Sequence, residues 1–196
     1  VLNADLPGAY GLLPGLRPPR ALRRAHFSPS AVVWHVGARG HPTAGTAHHN
    51  IHFGREWAGA YAALAEGRRM PDPSLLVSVP TLSEPGLAPD DCSVLYALEP
   101  VPNLTAGLDW SALRDRVRND LAAQVARLGY PVDVVEETVV DPVDWARQGL
   151  AAGTPFSLSH RFSQSGPFRP SNIDARAPGL VLLSGKLAAE RLGPGA

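Results

Sequence analysis

The sequence has little cysteine, no net charge and no long apolar run. Its single cysteine, Cys92, excludes an internal disulfide and a metal site built from several cysteines. Such usage is compatible with a reducing cytosol. Basic and acidic residues both number 18, so the basic excess typical of nucleic-acid-binding proteins is absent. Because no run of about 18 apolar residues occurs, no membrane-spanning segment is expected.

Glycine and proline are abundant instead. The 19 glycines and 20 prolines make up about one fifth of the 196 residues, against about 12% in average proteins. This composition predicts many turns and loops. Hydrophobic residues make up 44% of the chain and the mean hydropathy is −0.06. These values are typical of a globular protein and exclude a wholly disordered chain.

Short apolar runs bounded by glycine or proline alternate with helical patterns. The runs predict strands of a mostly antiparallel or mixed sheet at 31–36, 50–53, 75–79, 94–98 and 132–140. Helical spacing predicts helices at 55–66, 109–128, 141–153 and 182–192. Asp109 and Asp141 are expected to cap their helices. The predicted fold class is therefore α+β, with helices packed on a sheet. No Gly-x-Gly-x-x-Gly stands between a strand and a helix, so a complete dinucleotide-binding unit is not expected.

Candidate reactive side chains are few. His41, His48, His49 and His52 lie within twelve residues, and imidazole is the commonest metal ligand. However, His49 and His52 are three apart in a predicted strand, so they should point to opposite faces. We favour hydrogen-bonded or loop histidines over a metal site. Cys92 is interpreted as a small buried residue rather than a nucleophile, and no catalytic residue is assigned.

Two irregular stretches allow a functional and a structural interpretation. The arginines at positions 17, 20, 23 and 24 could contact phosphates or anionic lipid headgroups. A solvated linker or short helix is the favoured alternative. The segment 153–172 mixes aromatic and polar residues without a periodic pattern. It is expected to be either a functional loop or one tied down by Arg169.

Four sequence blocks together resemble a known family. They are the block at 48–54, the block at 90–104, Leu108-Asp109-Trp110, and the block at 164–172. In order and spacing they are similar to the bacterial phytoene desaturases, which are carotenoid-forming flavoenzymes of the amine-oxidase-like group. Such enzymes remove hydrogens from an apolar polyene by hydride transfer to FAD. The resemblance extends over nearly the whole chain.

The resemblance implies a division of the chain. Residues 1–27 are expected to be a remnant of, or linker from, the FAD domain, and 28–170 the substrate-binding domain. Residues 171–196 are expected to be a truncated return to the FAD domain with a C-terminal helix. The family's glycine-rich fingerprint is missing. A second flavin-contacting stretch is also missing at the join of Val181 and Leu182. We therefore expect the chain alone to lack the FAD core and to be inactive.

The same resemblance implies ligands, partners and site residues. The expected cofactor-binding residues are Gln164, Arg169 and Asn172. The expected walls of the polyene site, each also interpretable as ordinary core, are Trp34, Phe53, Trp57, Tyr61 and Phe156. FAD, a phytoene-like polyene and the missing FAD-binding domain are the expected ligands and partners, without nucleic acid or metal. A bacterial cytoplasmic location with peripheral membrane contact is expected. An alternative is an autonomous module that binds an isoprenoid or carotenoid without catalysis.

Overall fold

A five-stranded sheet forms the centre of the molecule. A computed structural model describes residues 2, 4–169, 171 and 173–182, and only the backbone of residues 57 and 58. All neighbouring strands are antiparallel, in the order β2-β3-β4-β1-β5. The strands are β1 (Ser30–Arg39), β2 (His49–His52), β3 (Leu75–Ser78), β4 (Cys92–Val101) and β5 (Asp133–Val140). The predicted α+β class is confirmed.

The central pair of strands has the longest register. It runs over ten residues, from Ser30 opposite Val101 to Arg39 opposite Cys92. Buried and half-buried positions alternate strictly along β4, as expected when the two faces of a strand meet different surroundings. β1 is buried on both faces in its first half and on one face in its second half. One end of the sheet is therefore enclosed more completely than the other.

Within the described residues, five α-helices accompany the sheet. They are α1 (Leu6–Gly11), α2 (Arg20–Arg23), α3 (Trp57–Ala65), α4 (Trp110–Arg127) and α5 (Pro142–Arg147). The predicted caps are confirmed. Asp109 accepts hydrogen bonds from two backbone N–H groups of α4, and Asp141 forms a capping box with Asp144.

α5 ends six residues before the predicted end at 153. Gly149 adopts a φ of 88°, in the left-handed region where helices commonly stop. Residues 151–153 form a separate 3₁₀ turn. The prediction of a helix to 153 was wrong because the apolar spacing continues after the backbone has left helical conformation.

The main core lies between α4 and one face of the sheet, which we call the helix-covered face. Leu121 and Val125 of α4 pack there against inward-facing strand residues. Those strand residues are Trp34, Val36, Ala38, Leu75, Val77, Leu95 and Ala97. The opposite side, called the open face, presents the alternate residues of the same strands.

A second apolar cluster joins the two ends of the described chain. We call it the terminal body. It consists of α1, α2 and residues 173–182 packed around Leu6, Tyr10, Leu22 and Leu158. Leu2 pairs with Leu182 in a parallel bridge. The predicted helix at 182–192 lies outside the described residues apart from Leu182. Within the described part, no helix is long and apolar enough to cross a membrane.

Candidate functional site: the open face of the sheet and two adjoining cavities

The open face carries an apolar row along β4. Val94, Tyr96 and Leu98 are half-buried there. The ring of His35 meets the ring of Tyr96 edge-on, with centroids 5.2 Å apart. Burial raises the pKa of the Tyr96 phenol, so the phenol stays neutral. An apolar row of this kind can hold an apolar ligand by burial.

The first cavity, called the strand cavity, indents the open face between β1, β4 and β5. It measures about 380 Å³. Its lining is mostly apolar, with Leu87, Val94 and Val135, but it also includes the carboxylates Glu136 and Glu137. Burial and Asp91 both raise the pKa of the Cys92 thiol. A thiol kept protonated is a poor nucleophile, which agrees with the interpretation that Cys92 is not a nucleophile. The expectation that Cys92 is buried was wrong, because its side chain is half-buried and lines this cavity.

The second cavity, called the loop cavity, lies where α3 ends. It measures about 430 Å³, and its lining includes Phe27, Tyr61, Asn103 and Arg161. The Asn103 side chain is fully engaged. Its Nδ2 donates to the Ser28 carbonyl at 2.7 Å, and its Oδ1 accepts from the backbone and hydroxyl of Thr105. Asn103 is therefore a rigid part of the wall and has little capacity left for a ligand.

Comparison with characterised proteins gives close sequence relatives. Phytoene dehydrogenase of Streptomyces griseus is 44% identical over 98% of this chain and 42% of its own length. The zeta-carotene-forming phytoene desaturase of Myxococcus xanthus is 38% identical over 97% and 41%. The 4,4'-diapophytoene desaturase (4,4'-diaponeurosporene-forming) of Staphylococcus aureus strain MRSA252 is 31% identical over 87% and 37%. The chain belongs to the bacterial carotenoid desaturase family. No protein-family model matches it.

The chain spans about two fifths of the length of these desaturases. The alignment with the Streptomyces desaturase covers 215 positions, whereas this chain has 196 residues. At least 19 positions in the alignment therefore have no counterpart here. This difference agrees with the expected internal deletion, although the alignment length does not locate it. The predicted position at Val181–Leu182 stays a prediction.

Four of the five candidate substrate residues of this desaturase-family chain have described side chains, and these four are not brought together. Tyr61 is 65% exposed and lines the loop cavity. Phe53 and Phe156 are exposed but belong to neither cavity lining. The side chain of Trp57 lies outside the described part. Their assignment to a polyene site stays a prediction.

Trp34 occupies a different environment from the other candidates. It is fully buried on the helix-covered face. Its Nε1 donates to Glu137 Oε2 at 2.5 Å, and the Arg118 guanidinium lies 5.0 Å from the ring centroid. This arrangement favours a packing role over contact with a ligand.

Of the candidate flavin residues, Gln164 and Arg169 are described. Gln164 Oε1 accepts from the His26 backbone at 3.0 Å, and its Nε2 donates to the His26 and Ser159 carbonyls at 2.6 and 2.7 Å. Both ends of the amide are thus engaged. Arg169 is exposed, and Asn172 lies outside the described residues. The assignment of Gln164, Arg169 and Asn172 to flavin binding stays a prediction, and we derive no step through the flavin from them.

The histidines follow the parity expected from a strand. His49 lies on the open face and bonds to Ser78 at 2.7 Å. His52 lies on the helix-covered face and bonds to the Tyr130 hydroxyl at 2.8 Å, and burial lowers its pKa. Among the described residues no group of three potential ligands could hold a metal ion.

One buried charge was missed by sequence reasoning. Glu99 is fully buried on the helix-covered face, where it forms an ion pair with Arg69 at 2.9 Å. Arg69 also contacts Asp120 at 2.9 Å. Burial raises the pKa of Glu99, while Arg69 opposes that rise. The sequence did carry a signal for this buried charge, because Glu99 falls at an inward-facing position of the alternating pattern of β4. Its role here is to fix the loop before β3 against the core.

Proposed function

We propose that this chain supplies the polyene-binding portion of an FAD-dependent carotenoid desaturase in carotenoid biosynthesis. The observation that most supports polyene binding is the apolar row of Val94, Tyr96 and Leu98 beside the strand cavity. The names of the relatives supply the substrate class, since phytoene and diapophytoene are both apolar polyenes. Hydrogens would be removed from such a polyene, with the flavin as hydride acceptor.

The physical argument for a polyene rests on burial. A hydrocarbon chain offers no group for hydrogen bonds, so its binding must come from removing apolar surface from water, at about 25 cal/mol per Å². α4 already covers one face of the sheet. The open face is the one on which a ligand can exchange water for contact with Tyr96 and Leu98.

The proposal also includes a flavin-bearing partner domain. This chain would bind and orient the polyene and exclude water, while the cofactor supplies the redox chemistry. The amide of Gln164 is already engaged within the chain, so we expect no activity from this chain alone. An apolar substrate dissolved in lipid further implies a cytoplasmic protein with peripheral membrane contact.

A charge placed in the strand cavity tests the polyene site. Val135 lines that cavity and is 56% exposed, so Val135→Asp should fold normally. We expect it to weaken phytoene binding at least tenfold, because the polyene would have to desolvate a carboxylate. The measurement is a titration of detergent-dispersed phytoene with purified chain. Val132→Asp, an exposed position outside the cavity lining, is the matched control. Equal binding by both variants would refute this site.

Addition of a flavin domain, after a flavin titration of the chain alone, separates the proposal from its alternative. The alternative is an autonomous polyene-binding module without catalysis. Two observations favour it: the amide of Gln164 is engaged, and at least 19 alignment positions have no counterpart in this chain. Absorption and fluorescence of FAD are followed as the chain is added. In both cases we expect no saturable FAD binding. Restoration of desaturation by an added flavin domain would support the enzyme portion. Polyene binding without such restoration would support the module.

A further inference from the structure

Zero net charge conceals a segregation of charge along the chain. Residues 6–55 and 145–173 contain nine of the seventeen arginines and none of the eighteen acidic residues. These two stretches meet in space, because the Gln164 amide bonds to the His26 backbone through both of its ends. Ser159 N also donates to the His26 carbonyl at 2.9 Å. Arg39 and Arg147 of these stretches pair with Asp133 and Asp144, and the neighbouring Asp174 pairs with Arg176. The exposed arginines at α2 therefore carry the local positive charge.

Three of these arginines lie at or directly after α2. Leu22 turns into the terminal body, which leaves the other side chains of this short helix at the surface. Arg20, Arg23 and Arg24 are exposed and surround a hollow of about 490 Å³. Three guanidinium groups around one hollow suit phosphate oxygens, which they can bind through paired hydrogen bonds.

Aromatic side chains project from the adjoining loop. Phe162 is 86% exposed and Phe168 is 55% exposed, and their ring centroids are 5.7 Å apart. Arg169 follows directly and is exposed. Gln164 holds this loop against His26, two residues after Arg24. Projecting aromatic rings beside arginines are the pattern of a surface that enters the headgroup region of a bilayer.

We propose that this surface docks the chain onto anionic phospholipid. We call it the cationic–aromatic surface, and its members are Arg20, Arg23, Arg24, Phe162, Phe168 and Arg169. The guanidinium groups would bind lipid phosphates while the two phenyl rings enter the boundary between headgroups and acyl chains. The charge segregation favours lipid over a protein partner, because it concentrates one sign of charge around projecting apolar rings. The inference rests on the proposed function in one respect: a lipid-dissolved substrate is the reason for the protein to bind a membrane.

Vesicle sedimentation with the full chain tests this docking surface without any polyene. The probes are vesicles of phosphatidylcholine with and without phosphatidylglycerol. We expect binding only when phosphatidylglycerol is present. The triple variant Arg20→Gln, Arg23→Gln and Arg24→Gln should bind about 100-fold more weakly, since each arginine near an anionic surface contributes about fivefold. The matched control removes the same charge outside the two stretches, at the exposed Arg68, Arg116 and Arg127, and should bind like the wild type.

A second variant tests the aromatic part and does not depend on charge. Phe162→Ser with Phe168→Ser should weaken binding about tenfold, whereas Leu82→Ser with Leu128→Ser, two exposed leucines elsewhere, should not. Equal binding to both vesicle types, or equal loss in the two arginine triples, would overturn the proposal. So would saturable binding of inorganic phosphate without vesicle binding, or self-association through the two phenylalanines in place of vesicle binding. Failure here would leave the phytoene titration unaffected.

Discussion

The sheet body, made of the five strands with α4 and α5, and the terminal body are held together by different contacts. Ten-residue pairing of β1 with β4 and a continuous apolar layer beneath α4 hold the sheet body. The terminal body depends on isolated bridges, such as the bridge between Leu2 and Leu182, and on side-chain bonds such as that from the Tyr10 hydroxyl to Asp174 at 2.9 Å.

The difference predicts two levels of stability within one chain. Contacts in a ladder support one another, whereas an isolated bridge between distant residues must offset the entropy of closing a long loop by itself. The sheet body should therefore open only with global unfolding. The terminal body should open more readily and expose the loop that carries Phe162. Both proposed surfaces depend on this division. The polyene site lies on the sheet body. The cationic–aromatic surface lies at the junction, by which we mean the contact between His26 and the loop that carries Gln164.

The largest effect is expected from emptying the centre of the sheet body. Trp34→Ala should lower the free energy of unfolding by about 3–5 kcal/mol, because it leaves a large cavity and removes the donor to Glu137. Urea denaturation measures the change. Phe162→Ala, at an 86% exposed ring, should change it by less than about 0.5 kcal/mol. A stable Trp34→Ala protein with lost polyene binding would instead make Trp34 a wall of the site.

Removal of Arg69 should be the next largest effect. Arg69→Met leaves Glu99 buried without its cation, at an expected cost of about 3 kcal/mol at neutral pH. Because burial raises the pKa of Glu99, the folded chain keeps its proton to higher pH than the unfolded chain does. The deficit should therefore be small below about pH 4.3 and should grow as the pH rises through the raised pKa.

The pH series has its own control. The control pair is Glu99→Gln and the double variant Arg69→Met with Glu99→Gln. Neither protein carries the titrating carboxyl, so the loss on replacing Arg69 within this pair should depend little on pH in this range. Urea denaturation across the series gives the comparison. A deficit of Arg69→Met that is equally large in acid would show that lost packing, rather than the unpaired carboxylate, destabilises the variant.

Local rules predicted the sheet body better than the terminal body. The cap at Asp109 and the apolar spacing of α4 required only neighbouring residues, and both were confirmed. The opposite orientation of His49 and His52 followed from strand parity alone. The terminal body joins residues about 160 positions apart, such as Tyr10 and Asp174, and no local pattern carries that information.

The assignment of Trp34 to the polyene site misled for the same reason, namely that local sequence does not show long-range contacts. Parity shows that Trp34 and His35 point to opposite faces, but it does not show which face α4 covers. An aromatic residue in a strand therefore fits both a wall and a core. The spacing of Arg116 and Asp120, four residues apart on α4, allows an ion pair within the helix, yet Asp120 bonds to Arg69 from another segment. Long-range partners decided both roles.

Loosening the junction should have a moderate, local effect. Gln164→Ala removes the bonds to His26 and Ser159, so the loop carrying Phe162 and Phe168 should be cleaved at least fivefold faster by a nonspecific protease. Global unfolding in urea should change little, because the sheet body does not depend on this loop. The control is Gln148→Ala, an exposed position after α5. A matching loss of global stability would mean that the two bodies unfold as one unit.

The smallest effect is expected inside the terminal body. Tyr10→Phe removes the hydroxyl that donates to Asp174 but keeps the ring in its apolar cluster. Amide hydrogen exchange in α1 should become about fivefold faster, the equivalent of one ordinary hydrogen bond, while exchange in β1 and β4 stays unchanged. Tyr96→Phe removes a phenol on the open face and should leave α1 unaffected. If Tyr10→Phe accelerates exchange in β1 as well, the terminal body is coupled to the sheet, and the lipid-docking surface would then respond to changes at the polyene site.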